Sequence, residues 1–353
     1  MNKHSLIAIS FSVMIFTRVF SGIVGSNTTP SVQGTTTFPS GDATNEMRGF
    51  AAFTSGVTLT DVNTTCLFND FFPIYGVINP NNGIFNLNKD LVLASNVTLS
   101  TGGKFNGNNF SLNLPDKVSS FAITGATTLG NISLVLNSNV SLQSVLTFTN
   151  TSVVEGNGYI LDLTNAAAKL AVGNSASVLL KNLIIGGGSA GKIFCTDNVS
   201  TISLENVTWI LDANYSFTQG SLYINLGTII TGGKIFTYQS TKTSIINSNT
   251  TLFFDAGMTF SYDTTANNLL SFQDTTALLH LYETTLYANS NGLNLTKGSV
   301  VIDGTCPLIN DGNSIATSIA IGDGALAANN IFLDILAESG FNITRGFFVN
   351  KNV

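Results

Sequence analysis

A chain of 353 residues with 44% apolar and only 10% charged side chains, at a mean hydropathy of +0.31, has the material for a large buried core, which excludes intrinsic disorder. An average soluble protein carries roughly 25% charged residues, and here Asn, Thr, Ser and Gly take their place, a texture that favours an all-β, extracellular kind of protein. The formal net charge of −6 makes nucleic acid and anionic membrane poor partners.

In chain order, Met-Asn-Lys-His is followed by an apolar run from Leu6 to Phe16 and by small residues around Ser21 to Ser26. Residues 1–26 therefore read as a secretory signal peptide cleaved near Ser21 or Ser26, which places the protein outside the cell or on its surface. Arg18 interrupts this pattern, and an uncleaved anchor is the alternative, although a run this short spans a bilayer poorly. Cleavage would remove Lys3, His4 and Arg18 and no acidic residue, leaving a more negative chain. Residues 27–55 are expected to form a flexible leader rich in Ser, Thr, Gly and Pro.

From Gly56 to the end at residue 353 the texture changes to short alternating runs such as "GVTLT", "SLVL" and "SLYINL", each bounded by Gly, Asn or Asp, which is the period of strands. The best helical stretch, "NNIFLDILAES" at 329–339, matches the repeat unit and is read as strand. "LLKNLII" at 179–185 returns as "SLENVTW" at 203–209, and more loosely as "LNKDLVL" at 87–93 and "NITRGFFV" at 342–349. "GKIF" occurs at 191 and 233, "FTQGSLYIN" at 217–225 matches "LTKGSVVID" at 295–303, and "NGNNFSLNL" matches "EGNGYILDL". The spacings between these copies lie near small multiples of a period of roughly 20 to 26 residues, as in an irregular β-solenoid whose strands persist while its loops vary.

The shared unit is x-Asn-apolar-x-apolar, at Asn96, Asn131, Asn139, Asn182, Asn206 and Asn342. Asparagine tolerates the left-handed bend between strands, and its amide can bond the turn or stack on an Asn one coil away. The following residues then alternate inward and outward. Lys181 is expected to point into solvent while Asn182 turns the chain. The chain holds about a dozen Asn-x-Ser/Thr sequons, including those at Asn63, Asn150, Asn214, Asn249 and Asn294, and many coincide with this unit, so the corner reading is preferred to glycosylation.

The succession "VVEGNGYILDLTNAAAKLAVGNSASVLLKNLIIGGG", 153–188, resembles the right-handed parallel β-helix of pectin-lyase-like secreted proteins and autotransporter passenger domains, and the likeness extends as texture over roughly residues 75–350. It implies an all-β, single-stranded parallel β-helix with apolar side chains stacked inside. Enzymes of that family usually act on acidic polysaccharides through Asp, Arg, Lys or His clustered on one face. Here His280 is the one histidine beyond the leader, Arg48 and Arg345 are the arginines there, and Lys169, Lys181, Lys192 and Lys234 are scattered through the repeats, although they could still line up on one face.

Other chemistries find little support. Glu155 with Asp162, or Glu205 with Glu283, are the acid pairs a glycosidase would need, but the second pair is expected at matching positions of two repeats, as a solvated corner predicts. Trp209 and Tyr287, which fall at matching positions of two repeats, are expected in a buried stacked column rather than as an exposed sugar platform. Asp303, Asp311 and Asp323 each precede glycine, but their spacing fits turns better than calcium loops. Cys66, Cys195 and Cys306 form no metal pattern and read as buried small hydrophobes, with one disulfide and a leftover thiol as the alternative. Thr-x-Thr units are too few for an ice-binding ladder.

No residue is therefore assigned a catalytic, cofactor-binding or metal-binding role, and no cofactor is implied. The expected function is a non-enzymatic secreted or surface solenoid with a structural, adhesive or binding role toward a cell-surface glycan or protein. The alternatives are a polysaccharide lyase or glycosidase on the same solenoid, and a trimeric fibre component.

Overall fold

The computed structural model describes residues 103–116, 120–322 and 331–350, and before them Asp90 and short strands between Ser31 and Leu99. The signal-peptide residues 1–26 and the corner at Asn96 lie outside the described residues. Short strands pair in parallel throughout, coil upon coil, as an all-β parallel solenoid. Each coil contributes a strand to three faces. A representative coil runs Ser133–Val135 on the first face, Val140–Leu142 on the second and Val145–Thr149 on the third.

The coil step varies as irregular loops require. It is short where Phe121 pairs Val140, intermediate where Ser177 pairs Thr201 and longer where Thr251 pairs Leu278. The last described coil is longer still, with Gly298 paired to Ile331. Ile331–Ile335, the stretch with some helical character, is a strand. One difference concerns the expected leader: within 27–55 the strands Ser31–Val32 and Thr36–Phe38 already pair in register with Ala52–Phe53 and Gly56–Leu59, so the ladders begin before Gly56. Thr and Val are β-branched and fit a pleated surface, which lets a polar Ser/Thr run adopt strand backbone.

Among the described residues the interior is mainly apolar, because alternate residues of each strand point in, and buried hydroxyls such as Ser200 and Ser240 bond backbone carbonyls of the neighbouring coil. In Ser221–Ile224, Leu222 and Ile224 are buried while Ser221 and Tyr223 face out. Aromatic side chains stack along the axis: Phe217 on Tyr238 with ring centroids 6.0 Å apart, then Tyr238 on Tyr262 at 5.8 Å. Trp209 is fully buried against Tyr215 at 4.7 Å and edge-on to Phe236.

Candidate functional site

The corner between the first and second faces is built by the sequence pair that repeats most closely. Ser177–Gly188 and Thr201–Leu211 each run through this corner as one strand, and they pair on both sides of it, Lys181 with Glu205 and Leu183 with Val207. One residue makes the bend: Asn182 has φ +50° and Asn206 φ +54°. Leu180 and Leu183 point in, so the bend resets the alternation and leaves Lys181 and Asn182 half-exposed. Asn131, Asn150, Asn157 and Asn249 bend with positive φ in the same way, whereas Asn139 and Asn342 do not.

The bend is stitched along the axis. Asn206 donates from Nδ2 to Asn182 Oδ1 at 3.0 Å, and Asn182 donates to Glu155 Oε1 at 2.9 Å. Lys181 lies 3.1 Å from Glu205 and 4.0 Å from Glu155, and its ammonium is held charged above the ordinary lysine range by the bond to Glu205. Gly156 fits under this corner because a Cβ there would stand 2.1 Å from Leu183 Cβ. Beside the corner an open groove of about 420 Å³ is lined by Asn157, Asn182, Leu183, Ile184, Asn206 and Thr208.

From that groove a row of outward side chains runs along the second face. Ile184 pairs with Thr208, Thr208 with Ile229, Ile229 with Phe253 and Phe253 with His280. His280 Nε2 is 3.3 Å from Asp303 Oδ2, and the Phe253 ring meets the imidazole edge-on at 4.7 Å. Thr231 donates to Asp255 Oδ2 at 2.6 Å along the same edge.

The third face carries a second polar cluster. Tyr287 donates to Asp311 Oδ2 at 2.6 Å, and Arg345 pairs with the other oxygen of the same carboxylate. The Asp311 carboxylate pushes the Tyr287 hydroxyl up to about 12, so this phenol stays protonated and cannot serve as a base near neutrality.

Several pairings expected from the sequence are rearranged. Trp209 is buried on the second face, but Tyr287 lies on the third and faces out, so they form no common column. Glu205 sits at the corner between the first and second faces and Glu283, with φ +43°, at the corner between the second and third, so they are not equivalent. The cause is common to both: the corner unit serves more than one corner, Asn131 between the third and first faces and Asn182 between the first and second, so a match between distant copies can join different faces. "FTQGSLYIN" and "LTKGSVVID" likewise lead into Ser221–Ile224 on the first face and Gly298–Asp303 on the second. Glu155 is held by Asn182 and Lys181 at the corner while Asp162 accepts from the Thr164 amide, so each acid serves its own turn.

The lysines do gather in part. Lys169, Lys192 and Lys234 each lead into a third-face strand, and Lys169 and Lys192 stand on adjacent coils, where Leu170 pairs Ile193. Lys192 is tied to the carbonyls of Asn165 and Ala166, so its charge is spent on the wall. Asp303 and Asp311 end on different faces with different partners, and Asp323 lies outside the described residues. Among the described residues no group of three His, Cys, Asp or Glu side chains converges. Cys195 and Cys306 are buried free thiols, and burial pushes Cys195 up to about 12; the side chain of Cys66 lies outside the described residues. Sequence reasoning missed the acid caps, above all Asp197, which takes bonds from Ser175, Val199 and Ser200. The "TDNVS" turn was the available signal.

Compared with known protein families, characterised proteins and solved structures, the chain matches none.

Proposed function

We propose that this chain is a non-catalytic solenoid, secreted or displayed at a cell surface, that serves as a structural or adhesive module and binds a partner through its wall. Its resemblance to the right-handed pectin-lyase-like helix belongs to the same reading. The observation that carries it is the use of ionisable side chains as struts: Lys181 with Glu155 and Glu205, and Arg345 with Asp311, each pair coil to coil. A group held in this way positions the wall and is not free to act as the acid or base that general acid-base catalysis needs.

One observation favours the second reading, a carbohydrate-active enzyme: His280, Asp303 and the Phe253 ring meet on a partly exposed face. A screen of neutral and acidic polysaccharides, followed by reducing-end release and by the absorbance of unsaturated uronates, separates the two. The leading reading expects no turnover. Cleavage of any polymer that is lost in His280→Ala would establish the enzyme instead.

A further inference from the structure

We infer that the second face is a docking surface for a cationic amphipathic helix, an inference that rests on the binding role just proposed. Large apolar side chains stand exposed together around the strand Thr228–Thr231: Leu226 at 47%, Ile229 at 41% and Ile210 at 37%. Ile210 pairs with Thr231, and Ile229 continues through the outward row into Phe253. Exposed apolar side chains grouped in this way are the kind of surface a binding partner covers.

The chemistry of the row selects its occupant. Ile210, Leu226 and Ile229 offer no hydrogen bond, so a sugar chain laid on these three would lose water from its hydroxyls without replacement, whereas Thr208 and His280 are the polar members of the row. Apolar side chains of a polypeptide lose nothing there. Carboxylates border the row on both sides, Glu205 at the first corner and Asp255, Asp303 and Glu283 at the other edge, with Lys181 already paired. A second copy docked by the same face would set these acids against one another, whereas Lys or Arg flanking an apolar stripe would meet opposite charge. From Ile184 to His280 the row spans four coil steps of about 4.8 Å, the length of roughly 13 residues of α-helix. A helix of that size can lay one apolar face, with side chains repeating at every third or fourth position, along the row.

The test uses the full chain and two synthetic helical peptides with leucine on one face, flanked by lysine in one and glutamate in the other. Binding is read by fluorescence anisotropy. The lysine peptide is expected to bind, to weaken by about tenfold in Ile229→Ser/Phe253→Ser, and to keep its affinity in the first-face control Leu179→Ser/Ile245→Ser. Raising the salt concentration should also weaken it, and the glutamate peptide should bind at least about tenfold less tightly. Should the serine pair fail to fold, Glu205→Gln/Asp303→Asn keeps the apolar row and should still weaken the lysine peptide. Equal affinity of the wild-type and second-face variants, equal affinity for the two peptides, or binding of a neutral glycan polymer with no binding of either peptide would each overturn the inference. None of these outcomes touches the absence of turnover, which the polysaccharide screen decides.

Discussion

Asn206 lies one coil from Asn182 and donates its side-chain amide to the Asn182 carbonyl oxygen at 3.0 Å, while both residues hold the left-handed conformation that turns the first face into the second. The same two side chains thus shape the bend and tie adjacent bends together. Asn182→Ala forces a Cβ-bearing residue without a compensating amide into that conformation and removes two hydrogen bonds. The expected loss is about 2 kcal/mol. Asn182→Gly loses the bonds and keeps the bend, at about 1 kcal/mol. Urea unfolding followed through the single tryptophan, Trp209, measures both, and equal losses would show that conformation contributes nothing.

The ion ladder beside that bend has a different expected weight. Lys181 and its two glutamates are about a third to a quarter exposed, where solvent screens the pair. Lys181→Ala is expected to cost little stability, and less still in high salt. A larger, salt-independent loss would mean that the lysine stem supports the wall by packing.

Trp209 tests the core. Its indole is fully buried, and Nε1 has no hydrogen-bond partner among the described residues. Trp209→Ala should cost about 3 to 5 kcal/mol through the cavity it leaves, but Trp209→Phe should cost under about 1.5 kcal/mol because it also removes a buried orphan donor. Thermal unfolding by circular dichroism gives the comparison, and similar losses in the two variants would imply that the N–H is satisfied.

The titrating groups set an acid limb and an alkaline limb. Hydrogen bonds led by Ser200 hold the Asp197 carboxyl below its usual range, and the Ser248 hydroxyl does the same for Asp274. A depressed folded value gives stability that is present above the unfolded value, about 3.9, and is lost as pH falls through the folded one. Acid unfolding should therefore begin below about pH 4 and become shallower in Asp197→Asn. Tyr287, pushed up to about 12, behaves oppositely: its contribution is complete below its unfolded value near 10 and is lost as pH rises toward 12. Tyr287→Phe should make the alkaline decline shallower without abolishing it, because burial also raises Cys195, Tyr215 and Tyr238, and an unchanged profile would disconnect Tyr287 from Asp311.

What could be read from the sequence was local. The Asn-apolar-x-apolar unit states a bend and the inward residues after it, and Asn182 with Leu183, and Asn206 with Val207, follow it closely. The return of "LLKNLII" as "SLENVTW" gave the true coil step because both copies cross the same corner. Which corner a unit occupies is set by variable loops, so the more distant match paired Trp209 with a residue on another face, and Lys169 and Lys192 looked dispersed although they stand on adjacent coils. The outward row from Ile184 to His280 was hidden for the same reason, since its members follow one another in the sequence at unequal steps.

That row runs along the fold and carries the proposed binding role, and its straightness can be measured. Spin labels placed at Ile160 and, in turn, at Ile229, Phe253, His280 and Val301 stand three, four, five and six coils apart. Pulsed electron-electron distances should rise by about 4.8 Å per coil, from about 14 to about 29 Å between backbones. Distances that fail to rise step by step with coil number would contradict the solenoid and the row together.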